Sequence, residues 1–336
     1  MAGIEVARAV ANQKASKPRF SWMQFYSSYG TAVALIALVL LNLAITPNFA
    51  TLQTLNVNLT QVATVVVVAV GMTLVIATGG IDLSVGSLMA ISGALAPLIF
   101  FGDILSVGNI YAAVTLGIFT ALLAATLFGA FNGWLIAKFN IQPIVATLVL
   151  FIAGRGIAQV STNGNLQVFK VPEFQWIGLG RILGVPVQVI LMLLVVLAAA
   201  SVVKHTVFGR QLLAIGGNER AAILSGIPVH KVKIVVYAIS GFLAGIAGLI
   251  VIAINSASDA NVVGLGMELD AIAAVAVGGT LLSGGRAMIW GTLLGALTIQ
   301  LVRYTLLANG VPDAAALIVK AAIILLAVWV QQRVPR

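Results

Sequence analysis

The stretch Gly79-Gly80-Ile81-Asp82-Leu83-Ser84-Val85-Gly86-Ser87 is where residue types and spacing in this chain first suggest chemistry. Paired glycines let a backbone leave helical geometry, and Ser84 is placed to cap a helix that follows. Asp82 is then a carboxylate between two long apolar runs. A charge there is costly unless it meets water, a partner or the N-terminal dipole of the next helix. Two roles stand side by side: a pathway or gate residue, and an acid that holds the start of the next helix. Arg155, in Ala153-Gly154-Arg155-Gly156, is a cation whose small neighbours leave it free to reach an interior partner, and Asp82 is a candidate. Arg303 and Lys320 are placed to snorkel toward an interface. Asn132, Gln142, Gln159 and Asn163 are uncharged polar groups that either line a path for a sugar-sized solute or bond neighbouring helices.

Covalent chemistry lacks its parts. With no cysteine and two histidines, the chain has no disulfide framework, no thiolate metal site and no thiol nucleophile. Its composition points to the membrane: 61% of 336 residues are hydrophobic and 8% charged, against about 45–50% and about 25% in soluble domains. The pattern predicts an all-α polytopic membrane protein with about ten spans, near 29–46, 58–79, 84–101, 110–137, 143–161, 183–203, 232–255, 269–284, 287–308 and 313–331. A basic segment, 1–28, precedes this 29–331 transmembrane domain and a short tail, 332–336, follows. Trp22, Phe25 and Tyr26 fit an interfacial anchor before a retained first span.

The net charge of +9 follows the same layout. Lys138, Lys204, Arg210, Arg220, Lys231, Lys233 and Arg286 fall on the side of the basic N-terminal segment, while Lys170 and Arg181 fall opposite, with Asp103, Glu173, Asp259, Glu268, Asp270 and Asp313. This is a positive-inside pattern with both termini cytoplasmic, so the basic balance reports topology and not nucleic-acid binding. One internal similarity stands out. Val68-Ala69-Val70-Gly71-Met72-Thr73-Leu74 resembles Val275-Ala276-Val277-Gly278-Gly279-Thr280-Leu281, and glycine pairs Gly79-Gly80 and Gly284-Gly285 follow. An internal duplication and shared small-residue packing both account for it.

The cytoplasmic loop 204–231 contains Asn218-Glu219-Arg220-Ala221-Ala222-Ile223-Leu224-Ser225-Gly226-Ile227-Pro228. Asn218 caps, Ala221 to Leu224 form a short helix, and Gly226 with Pro228 ends it. Ala221, Ala222 and Leu224 then make a small apolar knob, either a docking element for another protein's groove or a loop helix lying on the membrane.

The blocks Gly79 to Ser87, Asn218 to Ile227 and Glu268 to Thr280, with Ser283-Gly284-Gly285, resemble the ATP-binding-cassette permeases for monosaccharides, the ribose-type importer family. Within it, Ile141 to Leu148 and Ala153 to Gln159 look most like the galactofuranose-type permease. The resemblance implies a bacterial inner-membrane subunit that pairs with itself or a related paralogue. It also implies two cytoplasmic ATPases that use ATP and Mg, and a periplasmic sugar-binding protein. This chain itself would hold no cofactor and no metal and catalyse no covalent change, and lipid would surround it. By the same resemblance Asn218, Glu219, Arg220, Ala221, Ala222, Leu224 and Gly226 form the coupling helix, although Arg220 stands where the motif usually has Glu. Asp82, Ser84, Asn132, Gln142, Arg155 and Gln159 are the candidate pathway residues. A self-sufficient ion-coupled carrier with Asp82 and Arg155 as a titrating pair is the alternative.

Overall fold

The computed structural model describes residues 22–105 and 107–333, with side chains over 30–105, 107–323 and 325–326. The basic stretch before residue 22, the last three residues and the side chains of Trp22, Phe25 and Tyr26 lie outside the described residues. In chain order the helices are α1 (Trp22–Ile45), α2 (Leu52–Ala77), α3 (Val85–Phe100), α4 (Ile110–Phe139), α5 (Pro143–Ser161), α6 (Pro172–Leu179), α7 (Val187–His205), α8 (Val207–Gly217), α9 (Glu219–Leu224), α10 (Val229–Asn255), α11 (Met267–Val277), α12 (Ile289–Ala308) and α13 (Asp313–Arg333). Six of them, α2, α4, α5, α7, α10 and α12, are long and apolar enough to cross a membrane; α3 and the part of α1 from Gly30 are apolar but shorter. Two minimal antiparallel pairs tie the loops: β1 (Gln167–Val168) with β4 (Ala257–Ser258), and β2 (Arg181–Ile182) with β3 (Val185–Pro186).

The segment read as a span over 269–284 is corrected. Its helix, α11, has 11 residues, about 17 Å of rise against a hydrocarbon core of about 30 Å. It stops because Gly278 caps it and Gly279, at φ 83°, turns the chain away. The similarity between residues 68–74 and 275–281 therefore does not carry over to backbone shape: Gly71 lies inside α2, whereas Gly278 ends α11.

Helix α2 is the centre, buried on every face from Val66 to Thr78. It packs against α7, α10, α11 and α12, while α3 is enclosed by α4, α5 and α10. Small residues allow this density. On α4, Gly117, Ala121, Ala125, Gly129 and Gly133 recur every four residues, forming one stripe along the helix. Gly129 and Gly133 meet α10 at Tyr237 and Ile234, and Gly241 and Gly245 of α10 return the contact at Ala125. Without a water-driven hydrophobic force inside a bilayer, such close backbone approach is a main source of helix association. Opposite that stripe, Phe119, Leu123, Leu127 and Phe131 are exposed at the same spacing. They form a lipid-facing surface.

A Cβ on Gly129 would fall into the carbonyl oxygen of Tyr237, with Gly241 Cα 3.1 Å away. Overpacking of this kind typically costs about 1–3 kcal/mol. Gly129→Val is expected to lower the thermal unfolding midpoint of the purified protein clearly below that of Gly156→Ala, whose added methyl meets nothing within 4 Å. Equal midpoints would contradict the α4–α10 packing described here.

Candidate functional site

The turn between α2 and α3 is built around Asp82, which is fully buried. Its Oδ1 accepts the Ser84 backbone N–H at 3.0 Å and the Ser84 hydroxyl at 2.6 Å, and its Oδ2 accepts the Ser240 hydroxyl of α10 at 2.8 Å. The Ser84 oxygen in turn accepts from Asn132 Nδ2 of α4 at 3.0 Å. Ser87 Oγ donates to the Leu150 carbonyl of α5 at 3.0 Å. One short turn thereby fixes the start of α3 to three other helices. Ser84 was expected to cap α3 through its side chain; it makes no such bond. Asp82 instead bonds the N–H two residues on, as an Asx turn does.

Arg155 does not meet Asp82. Its guanidinium turns to the loop between α10 and α11, donating to the carbonyls of Ala260 at 2.9 Å and Val263 at 2.6 Å. Gln159, one turn further along α5, donates to Asn261 Oδ1 at 2.8 Å, and Asp259 accepts from Asn261. Together with the β1–β4 pair and the bond from Gln175 to Ser256, these contacts hold the loop between α10 and α11. A titrating Asp82–Arg155 pair therefore has no geometric basis. Glu268, read as a residue of an outer segment, is buried at the start of α11, against Gly86 of α3. Lys320 and Arg303, expected to snorkel, have partners: Lys320 pairs with Asp270, and Arg303 with Asp313 at 3.0 Å.

At the opposite end from the Arg155 contacts, three glycine pairs converge. The Gly285 N–H donates to the Ala77 carbonyl at 3.0 Å. A Cβ on Gly216 would fall on that carbonyl and on the Gly285 nitrogen, and one on Gly284 would lie 2.9 Å from the Gly79 nitrogen. The breaks after α2 and after α11 thus meet each other and the end of α8. Gly79, Gly284 and Gly285 all have φ near the left-handed region that glycine tolerates, at 83°, 90° and 79°.

From this junction α9 projects. Asn218 caps it by accepting the Ala221 N–H at 3.0 Å, and Gly226, at φ 77°, ends it. Glu219 is tied to Lys233 of α10 at 2.6 Å. The predicted knob is corrected at one residue. Ala222 points into the core with 4% exposure, while Leu224 is 89% exposed, beside exposed Arg220, Ala221 and Ile223. Alanine at 222 is a packing contact, and the outward apolar face belongs to Ala221, Ile223 and Leu224. Gln142 is exposed at the mouth of a polar cavity beside α9. Sequence reading missed Ser240, Tyr237 and the Gly216-Gly217 pair, none of which stands out in a run of small and apolar residues.

The Asp82 network predicts a structural effect. Asp82→Ala leaves the Ser84 N–H and two serine hydroxyls without their acceptor, at about 1–3 kcal/mol for each donor left buried and unpaired. Asp82→Asn keeps one acceptor oxygen, and the Ser240 oxygen can accept from the new amide. In thermal unfolding the Ala variant is expected to fall well below the Asn variant. An Ala variant as stable as the parent would contradict the assignment.

The family described as branched-chain amino acid transport system / permease component matches residues 55–328. The ribose import permease of Escherichia coli K12 is 42% identical over 96% of this chain and 99% of its own length. The galactofuranose transporter permease of the same strain is 38% identical over 94% of this chain and 92% of its own length. The fructose import permease of Bifidobacterium longum is 39% identical over 75% of this chain and 70% of its own length. No solved structure matches. With multiple apolar helices, a family match across most of its length and relatives that align end to end, this chain belongs to the permease components of ATP-binding-cassette import systems.

Proposed function

We propose that this chain is the membrane-spanning subunit of an ATP-driven monosaccharide importer of a bacterial inner membrane, with both termini and α9 on the cytoplasmic side. The observation that carries this reading is the end-to-end similarity to permeases named for ribose and galactofuranose, with a fructose permease matching over most of the chain. The chain contains no Gly-x-x-x-x-Gly-Lys-Ser/Thr loop to cradle ATP phosphates. Hydrolysis therefore belongs to separate ATPase chains that use ATP and Mg, a periplasmic binding protein delivers the sugar, and a second permease chain completes the assembly.

The mechanism follows from where force can enter. Helix α9 presents Leu224 and Ile223 outward on a short, capped helix tied to α10 through Glu219 and Lys233. An exposed apolar tip of this kind suits a groove on an ATPase. Because α8 ends in backbone contact with the breaks after α2 and α11, displacement of α9 passes to both breaks without a soft side chain between them. Alternating access then consists of rigid helices shifting about these breaks. Tight sugar selection sits in the binding protein, since a deep site in the membrane would slow release.

The test is sugar uptake into proteoliposomes, with D-ribose, D-fructose and galactofuranose-containing substrates, with and without the ATPase and binding protein. Uptake is expected only with both partners and internal ATP. Uptake by the chain alone under a proton or sodium gradient would overturn the reading. Within the working system, Leu224→Asp is expected to reduce uptake at least tenfold while leaving thermal stability unchanged. Ala222→Asp, which buries a charge, is expected to destabilise the protein itself. Normal uptake by Leu224→Asp would remove α9 from the coupling route.

A further inference from the structure

Between the break after α2, the α4–α5 turn and α9 lies a cavity of about 230 Å³. Its polar wall comes from Thr78, Asn140, Gln142, Glu219, Lys233 and Tyr237. We propose that this cavity binds a neutral polyhydroxylated molecule of monosaccharide size, the transported sugar itself, on the side of the membrane that carries α9. The identity of the ligand rests on the importer reading; the class of ligand rests on the cavity.

Charge selects first. Glu219 and Lys233 are paired at 2.6 Å, so the wall carries both signs and no net charge. A charged ligand would have to break that pair and face the like-charged member at the same time. The remaining polar groups are uncharged amides and hydroxyls. Among the described residues the side-chain amides of Asn140 and Gln142 have no protein partner, and both are exposed at the mouth. At the floor the buried Tyr237 hydroxyl reaches the Ile81 carbonyl only at 3.5 Å, the outer limit of a hydrogen bond. A ligand hydroxyl, which both donates and accepts, can answer each of these groups.

Size selects next. The volume lies below the roughly 300–1,000 Å³ of pockets that take drug-sized ligands, which suits a small ligand. A nucleotide is too highly charged for this wall, and an acyl chain would meet polar groups. A single sugar ring fits.

The position gives such a site a consequence. Glu219 belongs to α9 and Lys233 to α10, so a molecule seated against this pair bears on the tie between the coupling helix and the membrane core. By linkage, whatever α9 docking does to sugar affinity, sugar does equally to α9 docking. Sugar that has accumulated in the cytoplasm would occupy this cavity and act back on its own import.

The test measures binding of D-ribose, D-fructose and L-arabinose to the purified full chain in nanodiscs by saturation-transfer NMR. At least one of the three is expected to bind saturably. Gln142→Leu, which removes an amide at the exposed mouth, and Gln142→Trp, which fills it, are each expected to weaken binding tenfold or more with unchanged thermal unfolding. Since the chain has no native cysteine, Ile141→Cys, at an apolar lining position, gives a second readout: the same sugar is expected to slow its alkylation at least threefold. No saturable binding by any of the three sugars, binding unaffected by both Gln142 variants, or alkylation unaffected by the sugar would each overturn the proposal. These outcomes separate from failure of the importer reading. Uptake that needs partners and ATP, combined with no cavity binding, sinks the cavity alone, whereas uptake by the isolated chain sinks the reading beneath it.

Discussion

A backbone that leaves helical geometry inside an apolar protein must find new partners for every polar group it frees, and the Asp82 turn shows how this chain does so. Three donors from two helices converge on one carboxylate, and the serine that supplies two of them also accepts from a third helix. With Asp82 satisfied, α2 and α3 are joined with almost no loop, and α3 is held against α4, α5 and α10. The other features of the end that carries α9 depend on that break being placed: the glycine junction, the cavity beside it and the root of α9. The carboxylate works as a fastener, and its burial is what makes each bond to it consequential.

The junction below it is made of backbone. Gly216, Gly284 and Gly79 approach so closely that a side chain at Gly216 or Gly284 would collide with main-chain atoms. Contacts between main chains are stiffer than contacts through long side chains, which can rotate to absorb a shift. Two broken helices and the stem of a projecting helix are therefore mechanically one unit. At the far end the arrangement differs in kind. There, the loop between α10 and α11 is held by the β1–β4 pair and by side chains, with Arg155 and Gln159 reaching across to carbonyls and an amide. One end is joined through main-chain contacts, and the other combines the β1–β4 backbone pair with these side-chain bonds.

Much of this was legible in the sequence. Hydropathy and glycine placement located the apolar helices, the break at Gly79-Gly80 and the short helix after Asn218, because burial and capping act locally and leave local signals. The failures share a physical cause. Whether Asp82 lines a path or closes a turn depends on Ser240, distant in sequence, and nothing local announces that contact. Asp82 was one candidate partner for Arg155, but the guanidinium Nη1 donates to two carbonyls, groups that every residue carries and that no sequence pattern marks. Ala222 and Leu224 differ only in which face of a six-residue helix they occupy, and such a helix is too short for periodicity to decide. The span drawn over 269–284 was too long because apolar residues continue past Gly278 while the helix does not.

The account turns on α9 being the element through which an ATPase drives the membrane subunit. Because the chain has no native cysteine, a single cysteine at position 224 can be offered a short homobifunctional crosslinker in the assembled complex, with Lys170→Cys, at the opposite end of the fold, as the comparison. The account predicts a product joining this chain to the ATPase from position 224, changing in yield when ATP is trapped, and none from position 170. Equal yields from the two positions, or none from 224 in a complex that transports, would contradict it.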